Sequence, residues 1–159
     1  MAERVLVFNF ENVSVSAVVD FFSIKCGTAN GLELRGFSLS AGGQASPTEV
    51  RVRLKRITGA TVTQGSGGTV ATPVMVDTGI GAVGAKGVAH TNDTTQATGT
   101  TVTTILPWQW NMLADLLYVP TTPEERESIG ASELLCVDLA AAPAAATNFS
   151  GWIKFVEYP

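Results

Sequence analysis

Residues 50–57 read Val-Arg-Val-Arg-Leu-Lys-Arg-Ile, and the first six alternate strictly between apolar and basic side chains. A period of two places successive side chains on opposite faces of an extended strand, so this run predicts a half-buried β-strand. The basic side chains share its outer face: Arg51, Arg53 and Lys55, with Arg56 beside them. Two interpretations of that row stay open, a solvated sheet face and a patch that meets an acidic partner surface.

Six further runs have strand-like sequence, and most are bounded by Gly, Pro, Ser or Asn. They are 5–10, 18–26, 32–39, 101–106, 133–139 and 149–158. No convincing amphipathic helix separates them, which predicts an all-β chain folded as an antiparallel β-sandwich or barrel. A chain of 159 residues has room for one such domain, spanning 1–159.

Residues 58–104 differ in composition from their flanks, with 14 Thr, 9 Gly and only three charged residues. Threonine favours extended backbone, whereas frequent glycine weakens any single strand. We therefore predict a long Thr/Gly-rich loop or β-arm insert that is only partly paired within one subunit. It is either a mobile surface loop or a segment that docks onto another chain, with Val62 and Val70 as candidate contacts.

The charge and the length of the apolar runs exclude some classes of partner and segment. The chain has 10 basic and 14 acidic residues and a net charge of −4, so we expect no nucleic acid as a partner. It has no run of 18 apolar residues, so we expect no membrane-spanning helix. The apolar stretch at 5–8 is too short for a signal peptide.

The residues that usually carry chemistry are sparse, and we expect neither catalysis nor a cofactor. His90 is the sole histidine and Cys26 and Cys136 are the only cysteines, which is too few for a zinc site and favours two buried free thiols. There is no Gly-x-Ser-x-Gly elbow to supply a nucleophile for His90, which we expect to be solvated. The Gly-x-Gly-x-x-Gly match at 79–84 lacks the following helix and the acidic residue that dinucleotide binding needs.

Residues 108–118 fit both the two-residue period of a strand and the spacing of a helix, and we favour a strand at their start. Beyond them, Thr122 can cap a helix of one or two turns in which Glu125 occupies the capping-box position, and Gly130 can end it. Trp108 and Trp110 are either core residues or contact anchors.

Residues 118–126, Tyr-Val-Pro-Thr-Thr-Pro-Glu-Glu-Arg, resemble a "YLPTPEER"-type segment found in a group of small head proteins of tailed bacteriophages. Residues 139–146, ahead of a final strand, are similar to that group's "LPAAPAAA" run. The early Asp-x-Phe-x-Ile pattern at 20–24, the strand at 50–56 and the Thr/Gly-rich middle follow in the same order. The resemblance therefore spans most of the chain.

The resemblance implies a capsid decoration, or cement, protein with a jelly-roll-like sandwich, made in the bacterial host cytoplasm and bound to the exterior of the virion head. Its partners are then the major capsid protein and itself, with a homotrimer favoured and a dimer possible. On this interpretation, deleting residues 62–72 weakens attachment to the capsid and leaves the fold intact. The alternative is a carbohydrate-binding β-sandwich module, such as a tail receptor-binding component, in which exposed Trp108 and Trp110 stack on sugar rings.

Overall fold

The computed structural model describes residues 4–43, 48–77 and 85–158, which form two packed antiparallel sheets. The first sheet contains β1 (Val5–Val15), β3 (Gly31–Gly42), β6 (Val74–Met75), β9 (Leu116–Tyr118), β10 (Ser128–Ile129) and β12 (Thr147–Tyr158). The second contains β2 (Val19–Lys25), β4 (Glu49–Thr58), β5 (Thr69–Ala71), β7 (Val88–Asp93), β8 (Thr101–Asn111) and β11 (Leu134–Leu139). The all-β antiparallel sandwich predicted from the sequence is confirmed, and every predicted strand run overlaps an observed strand.

The strand order is that of a jelly roll. The first sheet runs β1-β12-β3-β9 and the second runs β2-β11-β4-β8. Two four-stranded sheets interleaved in this order form the eight-stranded jelly-roll arrangement. The β12 strand lies between β1 and β3, and β11 lies between β2 and β4, so both central positions are filled from the C-terminal part of the chain.

Phenylalanines from both sheets fill the space between them. Phe8 packs edge-on against Phe22 at 5.6 Å between ring centroids, and Phe21 lies 5.0 Å from Phe149. Aromatic pairs in these tilted geometries add to the stabilisation that burial alone provides. The pairing of β2 with β11 shifts register between Val137 and Asp138, which lets the adjacent Phe21 and Phe22 both face the core.

In its described residues the Thr/Gly-rich segment combines loop with short, partly paired strands, as expected of the insert, and these strands are built into both sheets of the sandwich. Its strand β7 pairs along β2, and β5 pairs in turn with β7. Residues 61–68 and 94–98 form an additional layer, the cover, joined by bridges between Thr63 and Thr98 and between Ser66 and Thr95. The glycines serve close packing here, since a Cβ at Gly65 would lie 2.6 Å from the carbonyl oxygen of Thr95.

The structure also decides the ambiguous segment after β8. Strand β8 continues through Trp108 to Asn111, so the predicted strand start is confirmed. The predicted helix is a single 3-10 turn, Pro123–Glu125, and Gly130 follows β10 instead of ending the helix. The carboxylate of Glu125 accepts hydrogen bonds from the hydroxyl of Thr121 at 2.7 Å, from the backbone N–H of Thr121 at 2.9 Å and from that of Thr122 at 3.3 Å. The last is the bond of a capping box, and together they lower the pKa of Glu125, the hydroxyl most. The glycine motif at 79–84 lies outside the described residues.

Candidate functional site

The basic row of β4 points to the outer face of the second sheet, as predicted, but it is not one solvated surface. Arg51 is exposed, Arg53 is 31% exposed at its side chain, and Lys55 is only 5% exposed. Arg56 is half-buried. The expectation of a solvated face is wrong at Lys55 because the cover closes over this end of the sheet.

Lys55 lies in a buried ionic cluster, which we define as Asp20, Arg53, Lys55 and Asp138. Its ammonium Nζ lies 2.8 Å from Asp138 Oδ2 and 3.9 Å from Asp20 Oδ1. The guanidinium of Arg53 donates from Nε and Nη2 to the two oxygens of Asp138, at 3.0 and 2.5 Å. The register explains the meeting, since Asp138 on β11 is paired with Asp20 on β2 and with Arg53 on β4.

The cover supplies the remaining hydrogen bonds of the ionic cluster. The side-chain amide of Gln96 donates to Asp20 Oδ1 at 3.2 Å and to Asp138 Oδ2 at 3.0 Å. The backbone N–H of Ala97 donates to Asp20 Oδ2 at 2.7 Å. Buried carboxylates need such partners, so these bonds hold residues 94–98 against the sheet.

The two carboxyl groups of the cluster have unlike environments. Burial raises the pKa of Asp20, despite the opposing Ala97 hydrogen bond and the charge of Lys55. The hydrogen bond to Asp138 raises the pKa of Arg53, so the guanidinium stays charged beside that carboxyl group. Burial disfavours the ammonium of Lys55, but its negative neighbours outweigh this and raise the pKa.

Asp20, Asp138 and Gln96 were not predicted as site residues. The first two carried a usable signal, because each stands between two apolar residues within a strand-like run, and a fully buried charge requires a partner. Gln96 carried none, since it stands in a polar Thr-rich stretch. Two of the basic residues considered as contacts for an acidic partner, Arg53 and Lys55, therefore pair with a carboxyl group of the same chain, that of Asp138.

A second polar group lies under the cover around His90. Its Nδ1 lies 3.1 Å from Asp93 Oδ2, and the same carboxylate oxygen accepts the hydroxyl of Ser23 at 3.3 Å. The amide of Gln64 donates to Ser23 Oγ at 3.1 Å. The serine hydroxyl is thus directed to the carboxylate and not to the imidazole, which is unlike the order of a catalytic triad. The expectation that His90 is solvated is wrong, since its side chain is 17% exposed.

The tryptophans of β8 face inward. Trp110 is 4% exposed, and its indole N–H donates to the carbonyl of Ala114 at 2.6 Å. Trp108 is half-buried, with Phe37 at 5.5 Å and Tyr118 at 5.6 Å between ring centroids. Both rings pack within the sandwich. This arrangement does not favour carbohydrate binding by stacking of sugar rings on Trp108 and Trp110.

The exposed large apolar side chains lie at or beside the two open edges of the sandwich. The β5–β6 edge has Val70, Val74, Val76 and Val88. The β8–β9 edge has Val102, Leu113, Leu117 and Val119. Of the two candidate contacts in the Thr/Gly-rich segment, Val70 is 68% exposed, whereas Val62 packs inward against the small apolar cluster under the cover.

Cys26 and Cys136 are free and buried, which confirms that prediction. Burial, with smaller effects of Glu157 and Glu133, raises the pKa of Cys26 to about 12, and burial also raises the pKa of Cys136. Because the thiolate is the reactive form, we expect both thiols in the folded protein to react with a chromogenic disulfide reagent at pH 8 at least ~100-fold more slowly than in denaturant. Rapid labelling of either thiol in the folded protein would contradict this placement.

Comparison of the chain with protein-family models, with curated proteins and with solved structures finds no match. In the part of the chain that the structure describes, no helix is both long enough and apolar enough to cross a bilayer. Across residues 4–43, 48–77 and 85–158, no three His, Cys, Asp or Glu side chains gather as a candidate metal site.

Proposed function

We propose that this protein is a capsid decoration protein, a structural subunit that binds the exterior of a tailed-phage head and strengthens contacts between major capsid subunits. The observation that carries the proposal is the pair of apolar edges, which offer contact surfaces on opposite sides of one sandwich. The sequence resemblance at 118–126 and 139–146 points to the same class.

The β8–β9 edge is suited to a contact between proteins. Strand β8 pairs only with β4 among the described strands, so its other side presents free backbone donors and acceptors. None of its residues, Thr101–Asn111, is charged. Monomeric proteins usually protect such an edge with charged residues, whereas an interface core is depleted of them.

Two unlike apolar edges also support a closed oligomer. If the β5–β6 edge of one copy meets the β8–β9 edge of the next, the contact is heterologous and closes into a ring when the rotation allows. A trimer is the ring that we favour, whereas a dimer would use one edge twice. Arg51 stays exposed outside both edges and is available to an acidic surface of the shell protein.

The test is binding to heads assembled without this protein from the shell protein of the same phage. We expect the purified chain to co-sediment with such heads, and the double variant Leu117→Asp, Val119→Asp to bind about tenfold more weakly or less, because a buried charge at an interface core is costly. Ala144→Asp, at an exposed position in the connection between β11 and β12, is the control and should bind as the unmodified chain does. A monomeric chain with no affinity for heads would refute the proposal.

The carbohydrate-binding alternative retains one site. The ring of Trp152 lines a groove of about 360 Å³ with Asn9, Thr69 and Thr91, which supply hydroxyl and amide groups. Saccharide binding that disappears in Trp152→Ala, together with absent head binding, would favour that function over decoration.

A further inference from the structure

Lys55 is a primary amine held between two buried carboxyl groups. Its side chain is 5% exposed, and those of Asp20 and Asp138 are fully buried. The three residues come from β4, β2 and β11, whose pairing fixes their separation. The amine Nζ lies 3.9 Å from Asp20 Oδ1, so a small approach of the two side chains, away from water, would bring them to the separation that condensation to an amide requires.

We propose that Lys55 and Asp20 condense to an intramolecular isopeptide bond, with Asp138 as the base that receives a proton from Lys55. The proposal concerns the chain's own chemistry and is independent of capsid attachment.

Asp20 is the carboxyl group suited to nucleophilic attack. It is held by neutral donors, the amide of Gln96 at Oδ1 and the backbone N–H of Ala97 at Oδ2, whereas Asp138 is held by the guanidinium of Arg53. Burial raises the pKa of Asp20 and so favours its neutral acid, which is the more electrophilic form. The N–H donor on the carbonyl oxygen, either Gln96 at Oδ1 or Ala97 at Oδ2, is placed to stabilise the oxyanion that forms when the carbonyl carbon is attacked.

Asp138 is the carboxyl group suited to act as a base. Its Oδ2 lies 2.8 Å from Lys55 Nζ, within reach of direct proton transfer. The bidentate pair with Arg53 orients its carboxyl group and places a positive charge beside it. Two carboxyl groups whose surroundings differ in this way divide into an acid form and a base form.

The reaction balances without any other reactant. The ammonium of Lys55 gives one proton to Asp138, and the free amine attacks Cγ of protonated Asp20. The Nζ–Cγ bond forms, the Cγ–O bond to the hydroxyl breaks, and that hydroxyl leaves as water with a second proton from the nitrogen. Asp138 then passes its proton to solvent and re-forms its pair with Arg53. Because the pKa of Lys55 is raised by its neighbours, the first transfer is uphill, and we expect the reaction to be slow relative to folding.

The bond would join β2 to β4 across β11, and so tie together three adjacent strands of the second sheet. It would also replace one ammonium and one carboxyl group by a neutral amide under the cover.

The test is the intact mass of the full chain, folded, incubated and then denatured. We expect the mass to be lower than that of the sequence by one water molecule, and fragmentation of a proteolytic digest to place the link between Lys55 and Asp20. The full sequence mass after prolonged incubation overturns the proposal, and a link from Lys55 to Asp138 overturns the assignment of roles.

Variants test the parts separately. Lys55→Arg keeps a cation but removes the nucleophile, since a guanidinium stays protonated in proteins, and should have its full sequence mass. Asp138→Asn keeps both reacting groups but removes the base, and should also stay unlinked. Lys25→Arg is the control, because the amine of Lys25 donates to the carbonyl of Val62 at 2.6 Å, and it should still lose one water. Loss of water in Lys55→Arg, or its absence in Lys25→Arg, would contradict the assignment.

Discussion

Replacing Asp138 by Asn is expected to lower the free energy of unfolding by about 3–5 kcal/mol, because it leaves the buried ammonium of Lys55 and the partly buried guanidinium of Arg53 without their shared carboxylate. Asp138 is fully buried, and it accepts from Arg53, Lys55 and Gln96 at once. The change hardly alters side-chain volume, so when the reference is unmodified chain that still has its full sequence mass, the loss reports on charge and hydrogen bonding and not on a missing Lys55–Asp20 bond. Urea unfolding followed by tryptophan fluorescence measures it.

Asp115→Asn is the matched control, since Asp115 lies exposed in the turn between β8 and β9. A surface change of this kind is expected to shift the free energy of unfolding by no more than about 0.5 kcal/mol. Equal, small effects of the two substitutions would show that the ionic cluster does not stabilise the sandwich.

Deleting residues 62–72 is expected to abolish cooperative unfolding, contrary to what the sequence alone suggests. The deletion removes β5, the Gln64 hydrogen bonds and the bridges that join 61–68 to 94–98. It also takes away the Val62 carbonyl that accepts from Lys25. The ionic cluster would then be opened to water along with the apolar cluster around Ile57, so expression should give insoluble or molten protein.

Val70→Ser is the control for this deletion, because it changes the same segment at an exposed side chain and should unfold as the unmodified chain does. The prediction would be contradicted if the deletion variant were soluble, kept its unfolding transition and lost only its affinity for heads. The segment would then be an arm that the fold does not need.

The strands and the fold class could be predicted from the sequence because they depend on local periodicity. Residues 50–55 alternate every second residue, and the apolar runs of β2 and β11 are bounded by turn residues. For the Thr/Gly-rich segment, composition could not show where its strands pair, because composition describes only local backbone preference. Its pairing depends on tertiary contacts, with β7 lying along β2 about 70 positions earlier in the chain.

The candidate site was less predictable than the fold. Alternation placed Lys55 on the outer face correctly, but no local pattern shows that a second layer covers that face. The same holds for Val62 and Val70, which are alike in sequence context, although one packs inward and the other is exposed. Burial of a particular side chain depends on what the rest of the chain brings to it.

The central positions of β11 and β12 have a consequence for synthesis. During translation the ribosome completes β1 to β10 before either central strand is available, so neither sheet can close on the nascent chain. Closure of both sheets must wait until β12 has been synthesised, and termination ahead of it leaves β1 and β3 as edges without their shared partner, which are prone to aggregate. A stop codon ahead of Thr147 would therefore be far more harmful than the short length of the lost strand suggests.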